Sequence, residues 1–143
     1  MMRVLALDVG DRRIGLAVSD ALGITAQGIE TYTRTDDPDR DAAYILSLAE
    51  RYRPVKLLFG MPRNMDGSYG FQAEKVRLFA NTVLEHWDGG FDFYDERLTT
   101  AAAERVLISA DVSRKKRKTV IDKMAAVIIL QGYLEQTQNV QKA

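Results

Sequence analysis

Two apolar, β-rich runs, Arg3 to Val9 and Ile14 to Ser19, are separated only by the four residues GDRR. Gly10 and Asp11 are turn formers, so the start of the chain reads as a tight hairpin of two strands. Gly28 to Thr33 (GIETYT) reads as a third strand whose alternation leaves one side half exposed. After it the period changes. Asp37 reads as an N-cap with Pro38 at the first helical position, opening a helix through AAYILSLAERY. VKLLFG (Val55 to Gly60) is a buried strand, and MPRNMDGSYG is a loop. In FQAEKVRLFANTVLEHW the spacing of Phe71, Val76, Phe79 and Val83 is helical. Gly89 and Gly90 end that helix and FDFYDE is a short strand. TTAAAERVLISA is the next helix, and a last one runs from near Lys118 to about Gln136.

The order β-β-β-α-β-α-β-α-α predicts an α/β protein with a five-stranded mixed sheet flanked by helices. It fits neither a plain dinucleotide-binding unit nor a split βαβ, and it is what an RNase H-like fold requires. With 143 residues and no repeat or linker, one domain is expected over residues 1–137. The end of the chain has no apolar anchor, so residues 138–143 are expected to form a flexible tail.

Composition removes several chemistries. There is no cysteine, which excludes disulfides, zinc-thiolate sites and a cysteine nucleophile, and a single histidine, His86, which leaves no histidine pair. MMRVLALDVGD reaches Asp8 after a short apolar run, so it reads as neither signal peptide nor membrane span. Twenty basic and twenty acidic residues cancel over the whole chain. Locally they do not. Glu30 to Glu50 carries six acids against Arg34 and Arg40, whereas Val112 to Lys123 carries six cations against Asp122 alone. A polyanion responds to that local basic field.

Three acids stand where apolar elements stop or start. Asp8 closes LALDVG, Glu96 ends FDFYDE, and Asp122 lies in the first turns of an apolar helix, on the face of Ala125, Ala126 and Ile129. A lone carboxylate at the end of a central strand is costly without a partner. If the strands of Asp8 and Glu96 are neighbours, the three can converge at one sheet end. Such a site is all oxygen and strongly anionic, which suits Mg²⁺ or Mn²⁺. Two ions there can activate water and stabilise the leaving oxygen in phosphodiester hydrolysis. Arg114, Lys115, Lys116, Arg117 and Lys118 would hold the flanking phosphates, from a loop that orders on binding. Plainer readings exist for each residue taken singly: a turn-forming Asp8, a Glu96–Arg97 pair, an Asp122 favourable at a helix start, and a solvated cationic loop.

Taken together, LDVGDRRIGLAVSD (Leu7 to Asp20), GMPRNMDGSYG (Gly60 to Gly70), DERLTTAAAE (Asp95 to Glu104) and RKKRKTVIDKMAAVIILQGYL (Arg114 to Leu134) resemble the signatures of the bacterial YqgF family, also called RuvX. The resemblance covers nearly the whole chain, with Met61 and Val9 as mild departures from leucine and tyrosine. It implies an RNase H-like fold related to the resolvase RuvC. It also implies a metal-dependent nuclease that matures the 5′ end of pre-16S rRNA in the cytoplasm. The family's acids fall on Asp8, Glu96 and Asp122. Arg13 and Asn64 become candidate substrate contacts, and Asp66 and Thr99 candidate supports for the acids. Small-subunit ribosomal proteins are conceivable partners, and the chain is expected to act as monomer or homodimer.

Two other readings compete. A resolvase of four-way DNA junctions keeps the fold but needs a dimer to make paired nicks. A non-cleaving RNA-binding assembly or transcription factor would bind through the basic segment with a steep salt dependence. A nucleotide-hydrolysing reading of the Asp-x-Gly turn is set aside, since no GxxxxGK(S/T) loop is present and such machinery needs two domains.

Overall fold

In a computed structural model, residues 2–64, 66–96 and 108–142 are described, with 118–123 and 138–142 described through their backbone alone. Strands β1 (Arg3–Val9), β2 (Arg13–Ser19), β3 (Ala26–Thr33), β4 (Val55–Met61) and β5 (Phe91–Asp95) form one mixed sheet in the order β3-β2-β1-β4-β5. The first three strands are a meander, antiparallel throughout, while β4 and β5 add in parallel on the other side of β1. The β1–β2 link is as tight as the sequence requires. The Gly10 amide donates to the Arg13 carbonyl at 2.8 Å, and a Cβ on Gly10 would lie 2.9 Å from that same oxygen.

Three helices follow from local sequence. In α1 (Pro38–Arg51) the Asp37 carboxylate accepts from the amides of Asp39 and Arg40, with Pro38 in the first turn. Helix α2 (Phe71–Leu84) starts after Gly70, and α3 (Arg114–Lys142) is the long C-terminal helix. The last helix corrects two expectations. It begins at Arg114, so the five cations form its first turns and not a loop. The Ser113 hydroxyl accepts from the Lys116 amide at 3.4 Å, and the Ser113 carbonyl accepts from the Arg117 amide at 2.9 Å. That serine caps residues of good helix propensity, which outweighs the small cost of cations at the positive end of the dipole. The helix also runs past Gln136 to Lys142. The helix expected over residues 99–110 falls mostly outside the described residues, as does Thr99.

Alternation along the strands divides the core into two layers. Leu5, Leu7, Ile14, Leu16, Leu57 and Phe59 face α1 and α2, where they meet Ile45, Leu48, Phe79 and Val83. Each such side chain withdrawn from water contributes about 1.5–3 kcal/mol. On the opposite face Val4, Ala6, Ala17 and Leu58 meet Ala126, Ile129, Leu130 and Leu134 of α3. That second layer is built from smaller residues, so α3 lies close to the sheet. Among the described residues no helix is long and apolar enough to cross a membrane.

Candidate active site

The α3 side of the sheet carries the acids. Val4 and Ala6 point to α3, and the pleat puts Asp8 on that same side. Asp8 pairs with Gly15 on β2. The parallel register of β1 with β4 ends at Leu7 opposite Phe59, so one further step brings Asp8 level with Gly60. Asp8 therefore has a glycine on each side. A Cβ at Gly15 would sit 3.6 Å from the Cβ atoms of both Asp8 and Ala126. At Gly60 it would sit 2.6 Å from Glu96 Oε1 and 2.6 Å from Ile129 Cδ1.

Gly60 explains how Asp8 reaches Glu96. The condition that their strands be neighbours is not met, because β4 lies between β1 and β5. Parallel βαβ connection to β4 and then β5 places the strand of Glu96 one position further out. The carboxyl of Glu96, which follows β5 directly, crosses over β4 where Gly60 has no side chain, and hydrogen-bonds with Asp8. Burial is the main reason its pKa rises from 4.5 to about 8; the Asp8 charge and hydrogen bond add to that, as does the Asp95 charge. With its pKa at about 8, Glu96 keeps its proton near neutral pH and shares it with Asp8.

Asp122 is the third expected acid. Its backbone lies in α3 one turn before Ala126, the residue packed at Gly15, and its side chain lies outside the described residues. Among the described residues no group of three potential ligands is present, and Asp8 with Glu96 makes two. The cations Arg114, Lys115 and Lys116 are exposed in the first turn of α3, and Arg117 donates to the Val112 carbonyl at 2.8 Å. The side chain of Lys118 is outside the described residues. At 1.5 Å rise per residue, the segment 114–118 is about 6–12 Å along the helix axis from residue 122. Arg13 is exposed at the start of β2, at the sheet end where Asp8 lies.

Asn64 and Asp66 are engaged within their own loop. The Asn64 amide nitrogen Nδ2 donates to Ser68 Oγ at 3.0 Å, and Asp66 Oδ1 accepts from the Ser68 amide at 2.9 Å. Gly67 supplies the left-handed turn between them, with φ of 91°. Sequence reasoning missed Gly15 and Gly60. A glycine inside or closing an apolar strand does signal a close approach, but by itself Gly60 marks only the end of VKLLFG.

Comparison with known proteins agrees with this architecture. Residues 2–136 match the family model described as RuvX: Holliday junction resolvase. A protein of Halalkalibacterium halodurans named "Putative pre-16S rRNA nuclease" is 55% identical over 138 residues, covering 96% of this chain and 99% of that one. A protein of the same name from Halothermothrix orenii is 56% identical over 133 residues, covering 93% and 94%. Among solved structures, Thermus thermophilus RuvC in complex with a Holliday junction substrate aligns with a TM-score of 0.63 at 17% identity, over 97% of both chains. The expected RNase H-like, RuvC-related fold is therefore the observed one. The chain belongs to the RuvX family of nucleases.

Proposed function

We propose that this protein cleaves phosphodiester bonds with divalent cations held by Asp8, Glu96 and Asp122, and that its substrate is the structured precursor of small-subunit rRNA. The observation that carries the reading is the contact of Asp8 with Glu96 across Gly60. Two half-buried carboxyl groups brought together at a sheet end, with space kept clear by two glycines, gain little for the fold alone. Their all-oxygen chemistry fits Mg²⁺ or Mn²⁺, and two such ions would supply water activation and leaving-group stabilisation. The chain's own part is to hold the acids rigidly. Asp8 is fixed by a central strand, Glu96 by the end of β5, and residue 122 by a helix whose Ala126 and Ile129 are buried against the sheet. Arg114 to Lys118 and Arg13 would neutralise the phosphates on either side of the cut, from a rigid helix start. On this reading small-subunit ribosomal proteins are its partners and the setting is cytoplasmic.

The rRNA assignment follows the names of relatives above 50% identity. A second reading, resolution of four-way DNA junctions, is favoured by the family description and by the junction-bound structural neighbour. One gel separates them. The parent protein and Asp8→Asn are incubated, with and without Mn²⁺, with an RNA spanning the 16S precursor 5′ end and with a four-way DNA junction. Metal- and Asp8-dependent cutting of the RNA alone is expected. Cutting of the junction alone, by a protein dimeric in solution, would transfer the assignment to the resolvase. Undiminished cutting by Asp8→Asn would end both readings.

A further inference from the structure

Directly behind Glu96, on the α2 side of the same sheet end, a cavity of about 310 Å³ is lined by Met61, Arg63, Tyr69, Arg77, Phe93 and Asp95. That volume is at the lower end of clefts that hold small organic ligands, about 300–1,000 Å³. Its lining is divided by chemistry. Met61 is buried and Phe93 half-buried, so they give an apolar floor. Tyr69 stands 53% exposed, with the Arg63 guanidinium carbon 4.5 Å and that of Arg77 5.4 Å from its ring centre.

The loop that presents Tyr69 is tightly built. The Asn64 amide donates to the Ser68 carbonyl at 2.9 Å, and the Gly67 amide donates to the Asn64 carbonyl at 2.9 Å. Arg63 Nε donates to the Gly67 carbonyl at 2.9 Å, while its Nη1 lies 3.5 Å from Asp95 Oδ2. Arg63 is thus held by its own loop and by β5. Arg77 is exposed on α2 and, among the described residues, makes no ion pair. A cation–π contact at an exposed site is worth only about 0.5–1 kcal/mol. Such contacts fasten the loop, but they do not explain an apolar floor open beside two arginines.

Resting on the nuclease reading above, we propose that this cavity takes one unpaired nucleotide of the substrate strand. Its base lies over Met61 and Phe93 against Tyr69, and its phosphate meets Arg77. A flat apolar floor, an aromatic ring and planar guanidinium groups are what an unstacked base needs in exchange for its neighbours in the strand. Asp95 lines the cavity and Glu96 follows it on the other face, so a strand that passes around this sheet end would meet the cavity on one side and the acids on the other. The cavity would make the enzyme select cuts next to single-stranded nucleotides and pass over continuous duplex.

The test uses a hairpin RNA with a short single-stranded extension, and versions with an abasic residue at each extension position in turn. Binding is read on the Asp8→Asn background, where the strand is not cut. One abasic position should weaken binding about tenfold, the worth of one stacked base. Tyr69→Leu should weaken binding of the intact hairpin equally, and should add nothing once that base is missing. Arg77→Ala, at an exposed position that cannot compromise folding, should lower the salt slope by about one. The same hairpin in DNA identifies the strand type, since a tenfold loss on RNA alone assigns the cavity to ribose strands and a loss on both assigns it to either. No sensitive abasic position, or losses that add fully with Tyr69→Leu, would overturn the subsite. Cutting by Asp8→Asn would instead overturn the underlying nuclease reading.

Discussion

Asp41 and Glu96 are both carboxyl groups drawn away from water, and their surroundings treat them in opposite ways. Asp41, in the first turn of α1, has no exposed surface. Burial pushes its pKa up, but the Thr35 amide at 3.0 Å, the Thr35 hydroxyl at 2.9 Å and the Tyr32 hydroxyl at 2.9 Å all donate to it. Arg34 Nε stands 3.5 Å from Oδ2, an ion-pair distance and not a full hydrogen bond. The net result is a carboxyl held below its ordinary value. For Glu96 burial pushes the pKa up, and the Asp8 charge and hydrogen bond and the Asp95 charge push it further the same way. The fold surrounds Asp41 with donors to Oδ1 and a nearby guanidinium, and gives Glu96 a second carboxyl group as its hydrogen-bond partner. Such a pair is costly, and persists where the surrounding structure imposes it and a ligand can repay it.

The comparison is most sharply tested by exchanging charge at the two places. Asp8→Asn should lower cleavage on the order of 10³-fold while leaving the thermal unfolding midpoint close to the parent's, because the amide can still hydrogen-bond with the Glu96 carboxyl. Asp41→Asn should do the reverse, costing about 3 kcal/mol in urea unfolding with cleavage per folded molecule unchanged. Equal effects of both variants on stability would mean that the Asp8–Glu96 pair is a structural bond like that of Asp41.

The pH dependence of stability should also split in two. In chelator, the folded chain keeps a proton on Glu96 that the unfolded chain releases, so its contribution falls as pH rises from 4.5 to about 8. Asp41 acts in the opposite sense, its contribution being complete above the ordinary value of 3.8 and lost on acidification through its lowered pKa. Unfolding midpoints taken from pH 5 to 8.5 should therefore decline for the parent and stay flat for Glu96→Gln. A smaller effect is expected of Gly60→Ala. Its methyl would press on Glu96 Oε1 and Ile129 Cδ1, costing about 1–3 kcal/mol and weakening cleavage by displacing the acid. A variant as active and stable as the parent would remove Gly60 from the account.

Much of this was legible from local pattern. The hairpin of β1 and β2 follows from two β-rich runs around Gly10, and the start of α1 from Asp37 and Pro38, because both signals act within a few residues. The acids Asp8 and Glu96 could be picked out because each stops an apolar strand. Their meeting across β4 could not, since strand order is decided by pairing between distant segments. Gly60 acquires its meaning only from that order. The start of α3 was misplaced for a different reason. Five adjacent cations looked like a solvated loop, whereas Ser113 caps them and their stems favour helix. Tyr69, Arg63 and Arg77 gave no periodic signal, and only the folded loop brings them together.

Asp8 and Glu96 share a proton at the place proposed above for a divalent cation. The most direct measurement is calorimetric titration of the protein with Mn²⁺ at pH 7 in two buffers of different ionisation enthalpy, which counts the protons set free. The account expects binding with release of about one proton, both lost in Asp8→Asn and in Glu96→Gln. Binding that persists unchanged in both variants, or no binding to the parent at all, would contradict it.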